Sequence, residues 1–294
     1  MLVLLRMTVG WHILYEGLWK HEQQDFSADG YLSMASGPFA DYFRYDVMED
    51  FEGRKHLDLQ WNVDRMTKYR DAFVAQAKLD DADKAKADQI LETRKKNVEN
   101  FLAEKTNSTL FANHFAAWDE LKADKEKLKK GGTSFEAQRV WDAQQDLRKE
   151  ARPWTGWIDD QHDALHQDLA NLLPSARRAE RVKPTIKEIF TDKNLFVTYS
   201  SIAIGACMIG GLFTRLASLG GGIFLLMIVA AKWQWPGHYA PPAHPSQGHS
   251  LYVTKEFIEM MVCFTMATLP TGRWAGFDYF LHGLIVRPFM RNKD

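Results

Sequence analysis

Cysteine is scarce: the 294 residues hold two, Cys207 and Cys263, with no CxxC or zinc-type spacing, so the chain offers neither a disulfide framework nor a cysteine metal site. Basic surplus is absent too. Against 38 Asp and Glu stand 37 Lys and Arg, and no concentrated basic patch breaks the balance, which removes nucleic acid from the expected partners. Glycine loops for nucleotides, haem-attachment motifs and a nucleophile with an obvious base are missing, so no substrate is identified. Residues 22–194 show no strand-like alternation, which excludes a β-rich insert there.

What is present divides into two unlike parts. Residues 22–194 are dominated by Lys, Asp, Glu, Ala and Gln, whereas 195–231 are almost free of charge. Four stretches are candidates for crossing a hydrocarbon core roughly 30 Å thick, a span of about 20 helical residues. They are LVLLRMTVGWHILYEGLW (2–19), LFVTYSSIAIGACMIGGLF (195–213), LASLGGGIFLLMIVAAKW (216–233) and LYVTKEFIEMMVCFTMATL (251–269). The first reads as an anchor rather than a signal peptide. It lacks a basic n-region and an A-x-A site, and Glu16 and Lys20 stand where cleavage would begin.

The expected fold is therefore all-α, a four-helix transmembrane bundle with a large extracytoplasmic, coiled-coil-like helical insert between its first and second membrane helices. Residues 1–21 form the first helix, 22–194 the insert, and 195–294 the other three helices with a cytoplasmic amphipathic C-terminal segment. Arg215, Arg273, Arg287, Arg291 and Lys293 in short flanks place both termini in the cytoplasm of a multi-pass inner-membrane protein, with the lipid bilayer as its first partner. Rows of small residues mark helix packing: Ala203, Cys207 and Gly211 on one helix, Ala217 with Gly221, or Ser218 with Gly222, on the next.

In the insert, hydrophobic spacing predicts a long amphipathic helix over 60–105, a second over 110–129, and a third over 135–150 capped by Thr133 or Ser134 and stopped before Pro153. A further helix covers 158–173. Its His162 and His166, four apart among Asp159, Asp160, Asp163 and Asp168, could hold a metal, but the pattern reads as a solvated helix face and no metal is expected. Residues 25–43 and 274–290 read as segments lying along the membrane surface, the latter alternatively as re-entrant.

Ionisable groups inside apolar segments are the strongest signal of function. Arg6, His12, Glu16 and Lys20 share about a third of one helix circumference, and Lys255, Glu256, Glu259 and Cys263 do likewise on the fourth segment. Comparing depths at about 1.5 Å per residue sets Lys20 against Lys255 and Glu256, Glu16 against Glu259, and His12 against Cys263. Intramembrane charges face a bundle interior and find partners, so the two stripes predict a polar pocket beneath the loop WQWPGHYAPPAHPSQGHS. His12, Glu16 and Glu259 are the candidate catalytic residues, and Lys20, Lys255, Glu256 and Trp235 the candidate cofactor-binding ones. Three readings stay open: proton exchange with a quinone head group, structural ion pairs that fix helix register, or a proton or solute path. The loop's His238, His244 and His249 sit among prolines with no ligand spacing.

Four pieces, LLRMTVGWHILYEGLWK, GPFADYF, GLFTRLASLGG and LPTGRWAGFDYF, resemble the DoxX/DoxD-like membrane proteins, related to the small subunit of thiosulfate:quinone oxidoreductase. The resemblance covers residues 1–43 and 195–280. It implies a four-helix membrane bundle supporting an envelope redox system that is quinone-linked or sulfur-linked. The family's compact pattern has no counterpart to the insert of about 150 residues. The alternatives are a non-enzymatic membrane scaffold whose insert binds an envelope protein, and a small-solute or proton transporter.

Overall fold

The computed structural model describes residues 1–23, 26–36, 39–128, 131–178, 183–233 and 253–286. It is all-α, with no strand among the described residues. In chain order come α1 (Leu2–Glu22), α2 (Asp29–Leu32), a π-helical turn (Tyr42–Val47), α3 (Leu59–Ala77), α4 (Asp81–Ala103), α5 (Lys105–Leu128) and α6 (Ser134–Ala170). Then follow α7 (Ile186–Thr191), α8 (Lys193–Gly210), α9 (Thr214–Ala231), α10 (Lys255–Thr268), α11 (Thr271–Trp274), α12 (Asp278–Leu281) and a second π-helical turn (His282–Val286). Two compact units result: a bundle made from residues 1–48 and 185–294, and a helical domain made from 49–184.

In the bundle, α1 packs along α8, and α9 packs along α10. Asp192 starts α8 by accepting from the N–H groups of Asn194 and Leu195, and Gly211, at φ +65°, ends it. Close approach depends on glycine. A Cβ on Gly205 of α8 would overlap the Leu14 amide nitrogen of α1 and stand 2.7 Å from the Gly10 carbonyl oxygen. At Gly221 of α9 the added carbon would meet Ile204 of α8, Cys263 of α10 and Ile13 of α1, so four helices converge there.

The expected small-residue row on α9 is buried at Ala217, Ser218, Gly221 and Gly222. The row on α8 holds in part. Gly211 is buried and Cys207 half-buried against the core, while Ala203 is exposed and Ser201, Gly205 and Met208 face inward instead.

This unit buries polar groups within an apolar core of Val9, Ile13, Met208, Leu225 and Met260, and leaves large apolar side chains on its surface. Arg6, Thr198, Ser201, Thr214, Ser218 and Thr271 are buried, while Leu4, Trp11, Leu216, Ile223, Leu226 and Ile258 are exposed. By length and composition one helix among the described residues, α9, is apolar enough to cross a membrane. The 14 residues of α10 reach about 21 Å. The stretch after α1 closes one end of the bundle: Tyr31 Oη donates to the Ile228 carbonyl (2.8 Å) and the Ser36 amide to that of Ala231 (2.7 Å), satisfying carbonyls in the last turn of α9.

The helical domain corrects two sequence expectations. The helix foreseen over 60–105 is two helices, because Lys78 adopts a left-handed φ of +53° and Asp80 caps α4 by accepting from the Asp83 amide (2.8 Å). Conversely, Pro153 does not stop a helix. It lies inside the 37-residue α6, which begins with a capping box between Thr133 and Glu136. An interior proline costs about 3 kcal/mol, and burial on both sides of it offsets this, through Ala151 before and Ile158, Leu165 and Leu169 after. Phe101 of α4 stacks on Trp157 one turn beyond the proline, with ring centroids 4.1 Å apart.

Candidate functional site

The candidate residues of α1 separate into three groups. His12 faces α10, its Nε2 lying 3.4 Å from Glu259 Oε1. Glu16 instead turns along its own helix, where Lys20 Nζ donates to its carboxylate (2.9 Å) and to its carbonyl (3.3 Å), an i,i+4 pair. Arg6 turns the other way. The expected pairing by depth is thus displaced by one turn: His12 meets Glu259 rather than Cys263.

Glu16, Lys255 and Glu256 remain close enough to Glu259 to act on it electrostatically. Chemically the seam offers an imidazole and a carboxylate within proton-exchange reach, with the His12 side chain 40% exposed. Lys255 is exposed at the start of α10 and Glu256 half-buried beside it. Trp235, and the loop histidines 238, 244 and 249, lie outside the described residues.

Arg6 builds a latch that the stripe of charges did not foretell. Its guanidinium is buried and donates from Nη1 to the Thr271 carbonyl (3.0 Å) and from Nη2 to that of Ala275 (2.7 Å), with the Ile209 carbonyl at 3.5 Å. Asp278 supplies the counter-charge, and its carboxylate also accepts from the Phe213 (2.7 Å) and Thr214 (2.9 Å) amides. Phe213 holds a left-handed φ of +46° and caps α9 without a side-chain oxygen, so Asp278 is the N-cap, supplied from 65 residues away. Gly272 and Gly276 are required for the same reason. A Cβ on Gly272 would overlap Asp278 and Thr214, and one on Gly276 would stand 2.7 Å from the Gly211 Cα. The motifs GLFTR and GRWAGFD are therefore the two halves of one joint.

The helical domain holds two of its histidines, His162 and His166, in places that favour the neutral ring. His162 and His166 do not form the solvated face foreseen for them, because α6 turns that face onto α3. Asn62 donates its amide to the carbonyls of His56 (2.8 Å) and Asp58 (2.7 Å), which leaves its Oδ1 to accept from His162 Nε2 at 2.9 Å. His166 stacks on Tyr69 at 3.6 Å. Burial, reinforced by Arg65, pushes the pKa of His162 down to about 3; burial likewise lowers that of His166 to about 4.

The unfolded chain then binds more protons than the folded one from about pH 6.5 down to about 4 for His166 and about 3 for His162, so this part of the stability is complete above that window and falls as pH drops through it. Asp50, which the His56 ring and amide hold below the usual carboxylate range despite burial, adds loss at lower pH. Asp159, raised by burial, opposes it. Near pH 4.5 each imidazole should cost roughly 2–3 kcal/mol. Hydrogen exchange, corrected for intrinsic rate, should show protection in α3 and α6 falling from pH 7.5 to 4.5, and falling less in His162→Gln. Protection unchanged with pH would contradict the assignment.

In comparisons with known proteins, no family model, no curated protein and no solved structure matches this chain.

Proposed function

We propose that the chain is a DoxX/DoxD-like integral membrane protein in which α1, α8, α9 and α10 cross the inner membrane. The helical domain lies on the extracytoplasmic side and docks an envelope protein of a quinone-linked or sulfur-linked redox system. The observation that carries the membrane reading is the apolar outer surface of the bundle: Leu, Ile and Trp side chains such as Leu4, Trp11, Leu216, Ile223, Leu226 and Ile258 face outward, while the Arg6 guanidinium and several hydroxyl groups are buried within the core. In water that arrangement would expose a large apolar area at about 25 cal/mol per Å2, whereas in lipid it costs nothing.

The redox role rests on the family resemblance and on the His12 and Glu259 pair across the α1/α10 seam, which is placed to exchange a proton with a quinone head group. Purification in mild detergent, with quantification of co-purifying quinone and proteins, tests it. Glu259→Gln should lose at least tenfold of the bound quinone with its thermal midpoint kept, and Glu16→Gln should lose none. Unchanged quinone with a lowered midpoint in Glu259→Gln would assign the pair to helix register instead. The closed Glu16 and Lys20 pair already supports that second reading on α1. Partner protein retained without any quinone would favour the scaffold.

A further inference from the structure

We propose that the bundle holds an anionic phospholipid at a defined site, with an acyl chain in a groove along α10 and its phosphate on Arg215 and Arg273. The inference goes beyond the proposed function and rests on its membrane reading. The groove has a volume of about 280 Å3 and is lined by Leu2 and Leu5 of α1 and, from α10, by Phe257, Ile258, Met261 and Met266 among others. The side chains lining it offer no free donor, because the one hydroxyl, that of Thr265, donates to the Met261 carbonyl at 2.8 Å. A polar solute would lose its hydration there without replacement. A hydrocarbon chain would lose nothing, and the α10 part of the groove, from Phe257 to Met266, offers it about 14 Å of length.

Charge decides between a neutral and an anionic lipid. Arg215 is exposed, and its Nη2 donates to the Thr268 carbonyl at 3.3 Å, three residues beyond Thr265 of the groove. This tethers the guanidinium at the Met266 end with most of its five donors unused. Arg273 is exposed on α11, immediately after α10, and neither arginine has a carboxylate partner among the described residues. Asp278, the acid of the adjoining latch, already accepts from two amides and faces Arg6. A guanidinium tethered at the end of an apolar groove, with a second one five residues further along the chain than its tether at Thr268, is complementary to a phosphodiester on an acyl chain. Exposed Trp274 beside them is the residue type that settles at the headgroup level.

The test uses the full chain, delipidated in detergent and supplied with phosphatidylglycerol or phosphatidylcholine of identical acyl chains, read by native mass spectrometry and thermal midpoint. Phosphatidylglycerol should stay bound one to one and raise the midpoint by several degrees, and phosphatidylcholine should do neither. Arg215→Gln with Arg273→Gln should lower phosphatidylglycerol occupancy at least tenfold, and Met261→Trp, which fills the groove from its exposed face, should lower it similarly. Equal stabilisation by both lipids, undiminished occupancy in either variant, or a neutral isoprenoid lipid or second copy of the chain in the groove would overturn the proposal. Carbonate washing separates the two readings. A chain that stays in the membrane pellet yet ignores headgroup charge defeats the lipid site alone, and a chain released by carbonate defeats the membrane reading with it.

Discussion

Gly205→Leu is expected to abolish the folded bundle, and even Gly205→Ala should lower its stability by several kcal/mol. The atoms a Cβ would meet are Leu14 N, Leu14 Cα at 2.6 Å and Gly10 O at 2.7 Å, all backbone of α1, so no side chain can turn aside and the two helices must separate. Separation removes the contact along which α1 and α8 pack. The loss is net of alanine's advantage in a helix, about 1 kcal/mol over glycine, which acts in the opposite direction. Gly220→Ala is the control. Its Cβ would lie 3.8 Å from the nearest atom of Ile204, an ordinary contact, so the propensity gain should survive and the midpoint should hold or rise. Thermal unfolding in detergent, followed by tryptophan fluorescence and gel filtration, reads both. Gly205→Ala as stable as Gly220→Ala would refute the α1/α8 interface.

Arg6→Leu should be nearly as damaging, with a loss of about 2–4 kcal/mol, the order expected when charged hydrogen bonds to two carbonyls are lost. It strands the Thr271 and Ala275 carbonyls and removes the positive charge that acts on half-buried Asp278, while Asp278 still has to hold Phe213 in its left-handed conformation. The loss stays below a fully satisfied guanidinium's worth, since Arg6 Nε has no partner among the described residues. Arg6→Lys should recover less than half, because an ammonium group is a point donor and cannot reach carbonyls on two sides as the planar fork does. The measurement is the midpoint of denaturant unfolding, with Asp278→Asn as the reciprocal variant. Arg6→Leu and Asp278→Asn should not be additive. Additive losses would mean that the two side chains act independently, and the latch would not exist as a unit.

These two sites also show which features could be read in advance. The long bundle helices were legible because hydropathy is local: α1, α8, α9 and α10 lie where four apolar stretches stand. Azimuth was not. A helical wheel gives the direction of Arg6 relative to His12, but not which neighbour occupies that direction. Arg6 turned to α11 and the end of α8, whereas His12 turned to α10. GLFTR and GRWAGFD carry a family likeness in the sequence, but that they form one joint follows only from Gly211, Gly272, Gly276 and Asp278 taken together in space. In the helical domain, caps were readable at Thr133, but the break at Lys78 and the passage through Pro153 were decided by packing that no local pattern records.

The spacing of the latch along the chain sets an order of assembly. Arg6 finds its carbonyls 203, 265 and 269 positions later. A ribosome adding roughly 5–20 residues per second leaves that guanidinium waiting on the order of tens of seconds for Ala275. The domain of residues 49–184 is contiguous and is complete long before then. The protein therefore matures from its middle outward: the guest is finished while its host is still open, and a segment made late closes on one made long before it.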